Sequence, residues 1–341
     1  MKQAKWLLFA GFATISLLTE AQKVDSVKFF TDEAVIDITL STDIKKMQSE
    51  KGEEVYQPAS VILRFPDGTS IEEPISVAPR GHFRREYCNI PPIMMNFRNN
   101  TSPRLSSLGK LKLVIGCGTN GNDEQLVIKE YLAYKIYNEL EEKSFRVRLV
   151  KVNYQDTRNR IKAFSQYAFL LEDDNDMAER NNCIKKAKAQ YLTESTHRAT
   201  MTKVAVFEYL ISNGDWSVPN NHNIRLIYNK ANSAELPYAV PYDFDHSGFV
   251  NASYATPNEL LGTETVTERV YRGFPRTMDE LQATFDIFRN KKDKILSLIS
   301  GNALLSSRNK KELASYVEDF YDIINNKKSV QTIFIDNARK K

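Results

Sequence analysis

Two short stretches hold the side chains with chemistry to offer. In the first, Asp215 follows the turn pair Asn213-Gly214, directly behind an apolar run ending at Leu210-Ile211; Asn220 and Asn223 lie five and eight residues further on. In the second, Asp243 and Asp245 flank Phe244, after the apolar Tyr238-Ala239-Val240 and before Ser247-Gly248. A carboxylate in a loop behind a buried element is held yet exposed, so it can accept a hydrogen bond from a substrate hydroxyl and orient it. An amide oxygen adds to a metal's coordination without adding charge, and two carboxylates at i and i+2 after a strand can converge on one divalent cation. Mg²⁺ takes few carboxylates plus phosphate oxygens, so one of the pair would ligate and the other support. Together these are the groups needed to transfer a phosphoryl group from ATP with Mg²⁺ or Mn²⁺. Asp215 is the catalytic candidate; Asn223, Asn220, Asp243 and Asp245 are the metal candidates. Asn223 is preferred to Asn220 because it directly precedes the strand 224–228. The plain alternative for each is turn formation.

Around this set stand weaker signals. Lys112, mid-strand in Leu111-Lys112-Leu113-Val114, and Glu130 on the following helix could pair to hold the α- and β-phosphates, with Lys110 as a competitor. Arg80-Gly81, with Arg84 and Arg85, could form an anion-binding loop, or an edge turn with solvated charges. His222 and His246 fall inside the two stretches as hydrogen-bonding supports, since no two of the four histidines have metal-ligand spacing. No Walker A, Rossmann or Gly-x-Ser-x-Gly pattern is present.

The elements that must position these groups are legible from periodicity. Strand patterns occupy 34–40, 60–65, 111–115, 145–149, 167–171, 224–228 and 238–240, with Pro66-Asp67-Gly68 a turn. Asn122-Asp123 predicts a cap for a helix over 124–142, where Ile128, Leu132, Ile136 and Leu140 form an apolar stripe with Tyr131 and Tyr134 beside it. Further helices are expected from about 176, over 201–212, and twice or more between 278 and 324. A β-rich front, a mixed middle and a helical back make an α+β pattern.

The first 21 residues read as an export signal. Lys2 and Lys5 precede an apolar core, 6–18, too short to span a bilayer, and cleavage is expected near Ala21. No later stretch is long and apolar enough to cross a membrane, so the expectation is a periplasmic or secreted protein. A net charge of +4 over 341 residues, with basic clusters only at 80–85 and at Lys185 to Lys188, argues against a nucleic-acid binder. Of the three cysteines, Cys88 and Cys117 are the first choice for a disulfide, with three buried free thiols as the alternative.

These residues resemble the CotH kinase family, secreted spore-coat-like proteins with an atypical protein-kinase-like fold. The resemblance spans about 112–248, with Arg80-Gly81 ahead of it. Helix 124–140 stands where the family has D-x-x-x-x-R-N, and 167–172 looks like its G-x-Y-x-L-x-E segment. Asn213-Gly214-Asp215 and Pro241-Tyr242-Asp243-Phe244-Asp245 match its last two motifs. The chain departs from the pattern with Ile128-Lys129-Glu130 for Leu-Arg-Asn, with a loop lengthened by 217–220, and with Cys88-Asn89-Ile90-Pro91-Pro92 where a Lys is usual. The resemblance implies a bilobal α+β kinase-like fold. A β-rich region would occupy 22–76, an N-lobe about 77–172 and a C-lobe about 173–330. It further implies Asp215 as the catalytic-loop acid, with Lys112, Glu130, Glu172 and Arg80 on the nucleotide side. ATP and Mg²⁺ or Mn²⁺ would be the cofactors and a protein or glycan hydroxyl the acceptor. The rivals are an inactive envelope scaffold and a carbohydrate-binding protein, the latter suggested by Trp216 beside Asp215.

Overall fold

Strict alternation in the front half places one face of each strand inside and the other outside. A computed structural model describes residues 26–340 apart from Glu53, Thr119 and 187–189. The expected export signal and Lys188 lie outside the described residues. Seven strands, β1 (Ile36–Thr42), β2 (Gln57–Arg64), β3 (Ser70–Pro79), β4 (Ile93–Asn96), β5 (Lys110–Val114), β6 (Val147–Asp156) and β7 (Phe164–Leu171), close into a barrel in the order β1-β2-β3-β4-β5-β7-β6. Neighbours are antiparallel except β1 and β6, which run parallel with Ile36 opposite Val150. Ile38, Leu63, Val77, Leu111, Leu113 and Val152 fill the interior. On β5 the alternation that sends Leu111 and Leu113 inward turns Lys110 and Lys112 outward.

The expected bilobal kinase-like fold is therefore corrected: the chain forms a closed seven-stranded mixed barrel with helices packed against it. Only the broad α+β description remains. The reason is the β1–β6 pairing, which joins segments more than a hundred residues apart and leaves no open sheet edge. Strands from both sides of position 76 share this wall, and β3 itself crosses that position.

Short helices α1 (Ser26–Thr31), α2 (Ile44–Ser49) and α3 (Phe83–Tyr87) border the barrel, and α4 (Gly121–Leu140) packs on its outer face. Asn120 caps α4 by accepting the Asp123 N–H at 3.0 Å. The helix starts a little earlier than expected and is buried on nearly every side, with β6 and β7 on one flank and α7 (Met278–Ser300) on the other. After β7 come α5 (Asp174–Arg180), β8 (Cys183–Lys185), α6 (Arg198–Leu210), β9 (Ile224–Asn229) and β10 (Tyr238–Pro241), the strands forming a sheet ordered β10-β9-β8. A Thr277–Glu280 capping box opens α7, and α8 (Ser307–Asn325) and α9 (Lys327–Val330) complete the helical layer. Among the described residues no helix is long and apolar enough to cross a membrane.

Cys88, at the end of α3, is bonded to Cys117 in the loop after β5, across 29 residues, while Cys183 is free and buried. Removing this cross-link relaxes the unfolded chain and frees the α3 segment. Cys88→Ser should lower stability by about 3 kcal/mol, seen as a fall in melting temperature that added reductant does not deepen.

Candidate functional site

The end of α6, the start of β9 and the end of β10 meet, and each delivers one of the chemical residues. Beyond α6 the chain turns sharply: Ser212 is left-handed (φ 50°), and the Asn213 side-chain oxygen accepts the Asp215 N–H at 3.0 Å. This local turn holds the Asp215 backbone. Asn223, also left-handed (φ 52°), donates its amide to the Asp215 carbonyl at 2.7 Å and to Asp215 Oδ2 at 3.0 Å. His222 Nε2 lies 2.7 Å from Asp215 Oδ1. Burial pushes the Asp215 carboxyl up, but the His222 hydrogen bond and charge, with Asn223, outweigh it and leave the group below the usual range. The same contact holds the His222 imidazole above its ordinary value.

Asn223 also reaches the second stretch, because its carbonyl accepts the Tyr242 N–H at 3.0 Å. The next residue, Asp243, is left-handed as well (φ 66°), and its N–H donates to Tyr134 Oη on α4 at 2.8 Å. Non-glycine residues in this region carry strain that the surrounding contacts must hold. Phe244, fully buried, packs on Tyr134 and Phe207 at ring-centroid distances of 4.6 and 5.4 Å. That anchor sends the two carboxylates to different places. No hydrogen bond among the described residues takes up the half-buried Asp243 carboxylate. Asp245 is buried, accepts the Tyr254 hydroxyl at 3.0 Å and lies 3.7 Å from Arg84.

Arg84 closes an internal charge cluster. Its guanidinium sits 4.0 Å from Glu130 and donates to the Ile115 carbonyl. Burial and the nearby Asp245 charge push the Glu130 carboxyl well up, burial and the Asp243 charge push Asp245 up as well, and Arg84 opposes both. The expected Lys112–Glu130 pair is absent. Lys112 instead lies 3.8 Å from Asp174, with its ammonium 5.2 Å from the Tyr242 ring centroid, and burial pulls its pKa down.

The remaining expected residues are placed as follows. Arg80 precedes Gly81, whose φ of 84° needs glycine, and its charge is felt at Lys112 and Glu130. Asn220 is exposed on the 217–222 turn, and its backbone N–H donates to the Ser217 hydroxyl. Glu172 is a buried support: it accepts the Arg146 N–H at 2.9 Å and pairs with Arg180 at 2.8 Å, at the end of β7. Tyr134, Tyr254, Asp174 and Arg225 were not foreseen as site residues. Tyr134 had a signal, a hydroxyl on a stripe that must be buried, whereas the others depend on tertiary contacts.

A cleft of about 270 Å³ opens beside Asp215, lined by Asn213, His246, Thr256, Asn258 and Glu268 among others. Among the described residues no three His, Cys, Asp or Glu side chains gather as a metal cluster. The Asp243 carboxylate and the Asn223 side-chain oxygen, whose amide nitrogen is already engaged, are hard oxygen donors. They suit a cation that completes its shell with water and phosphate. No family model matches this chain, and no curated protein matches it.

Under the Asp215 turn lies Glu208, whose two carboxyl oxygens are buried without a hydrogen bond among the described residues. Arg272 lies near it and donates to the carbonyls of Gly214 and Trp216. Burial pushes the Glu208 carboxyl from 4.5 to about 8. The folded state therefore binds the proton more tightly, and stability is lost as pH rises from the unfolded to the folded value. Glu208→Gln should match the parent near pH 4.5 and exceed its stability by about 3–5 kcal/mol at pH 8, as measured by denaturant unfolding at the two pH values.

Proposed function

We propose that this site transfers the terminal phosphoryl group of ATP to a protein hydroxyl, with Mg²⁺ or Mn²⁺. The observation that carries the reading is the linkage of Asp215 and Asp243 through one residue, Asn223. Its side chain holds the first carboxylate and its carbonyl holds the chain into the second. Asp215, kept ionised, orients the acceptor hydroxyl from the adjoining cleft and receives its proton as the oxygen–phosphorus bond forms and the bond to the leaving diphosphate breaks. Asn223 and Asp243 would hold the cation, whose role when bound is to neutralise charge on the phosphate oxygens. Asp245, taken by Arg84 and Tyr254, supports Asp243 rather than ligating.

ATP as donor rests on the resemblance of 213–215 and 241–245 to the CotH kinase family. The barrel lends no support to a kinase-like fold, so the reading stands on the site alone. Export is proposed from residues 1–21, and the Cys88–Cys117 bond is in keeping with an oxidising compartment. One observation favours a glycan as the acceptor: the Phe83 and Tyr87 rings, both exposed, stack at 5.2 Å beside His246.

The test is thermal stability with ATP plus Mn²⁺ or Mg²⁺ against metal alone, followed by turnover. A ligand at a hundred times its Kd stabilises by about 2.7 kcal/mol, so a rise of several degrees is expected for the parent, whereas in Asp243→Ala the metal should add nothing to the rise that ATP gives alone. Asp215→Ala should keep the nucleotide-dependent rise and lose phosphoryl transfer. No rise at millimolar ATP, or turnover surviving both substitutions, overturns the reading.

A further inference from the structure

We infer a polyphosphate-binding subsite formed by Lys112, Arg225 and Lys185 around Asp174 and the Tyr242 ring, with Arg225 as its principal phosphate ligand. Three elements deliver these groups. Lys112 faces outward from β5, Arg225 sits on β9 two residues after Asn223, and Lys185 ends β8. All three cations converge on Asp174, at 3.8, 2.7 and 3.6 Å respectively. Lys112 and Arg225 also lie over Tyr242, at 5.2 and 5.4 Å from its centroid.

The charges do not balance. Asp174 faces three cations, and Lys112 also feels the positive charge of Arg80 and the negative charge of Asp243, so four cations stand against two carboxylates and two positive charges remain in excess. The cationic side chains are between 17% and 33% exposed, so they are drawn partly out of water yet remain reachable. Mutual repulsion there is an uncompensated cost until an anion arrives. Arg225 meets Asp174 through its buried Nε, at 2.7 Å, which leaves the two terminal guanidinium nitrogens without a hydrogen bond among the described residues. A guanidinium so placed suits bidentate contact with phosphate.

A singly charged anion would not neutralise the excess, whereas a di- or triphosphate does. Tyr242 directly precedes Asp243, so a chain of phosphates on this subsite runs towards the proposed cation position. Naming the ligand as the donor nucleotide rests on the phosphotransfer reading; the anion site itself rests on the cations. Asp174 then acts as the internal competitor that holds the cations together when the subsite is vacant.

Titration calorimetry with inorganic tripolyphosphate, in chelator and at low salt, tests this without metal or turnover. Arg225→Gln and Lys185→Met should each weaken binding about tenfold or more, and Lys328→Met, on exposed α9, should leave it unchanged. Asp174→Asn should tighten binding, which a merely structural pairing would not produce. Arg225→Lys guards against a folding defect, since it keeps the charge and should bind with intermediate affinity. ATP binding more tightly than tripolyphosphate would identify a nucleotide as the ligand; equal affinity would identify inorganic polyphosphate. Equal affinity for tripolyphosphate in folded Arg225→Gln and in the parent overturns the subsite, whatever the turnover. Tripolyphosphate binding that depends on Arg225, without any phosphoryl transfer, keeps the subsite and removes the phosphotransfer reading.

Discussion

The burial of α4 between the barrel wall and the helical layer governs the site. Packed on β6 and β7 and covered by α7, the helix has little polar face to give to water. Polar groups on its middle turns therefore gain from a partner inside, although the buried Tyr137 hydroxyl has none among the described residues. Tyr134 meets this need by accepting the Asp243 N–H, and so helps to hold a residue whose backbone would otherwise relax out of the left-handed region. Glu130 meets it through Arg84, which in turn reaches Asp245. The helix thus helps to set the position of both acidic residues of the second stretch.

Five acids are sorted by environment. Glu130 and Asp245 share one buried guanidinium, and two buried negative charges beside one positive charge favour keeping a proton. Asp215 and Asp243 lie nearer solvent, and the His222 hydrogen bond holds the Asp215 carboxyl below the usual range. Glu208, beneath the Asp215 turn, is a third case, a carboxyl pushed up chiefly by burial, with the Asp215 charge adding to it. Carboxyl side chains of one chemical kind therefore meet different environments according to depth.

The elements were largely legible because their signals are local. Leu111 and Leu113 alternate with Lys110 and Lys112, and that is the pattern of β5 in the barrel wall. The stripe at 128, 132, 136 and 140 is the buried face of α4, although the other faces proved buried too. The global arrangement was not legible in the same way. An antiparallel hairpin such as β2–β3 shows itself in a nearby turn, but the β1–β6 contact leaves no local mark. A resemblance concentrated in the two Asp stretches carried an expected fold with it, and the barrel replaced that expectation.

The sequence by itself offered the residues that could do chemistry, and the preference for Asn223, directly before a strand, over Asn220. Residue type, turn propensity and strand pattern are properties of a few neighbouring positions. Only the tertiary structure decided the partners: Lys112 with Asp174, Glu130 with Arg84, Glu172 with Arg180, and Asp215 with His222 and Asn223. Apart from the local Asp215 contacts and Glu172–Arg180, these pairings depend on how the barrel, α4 and the second sheet pack together. Coulombic preference alone does not choose among many equally charged side chains; burial and geometry do.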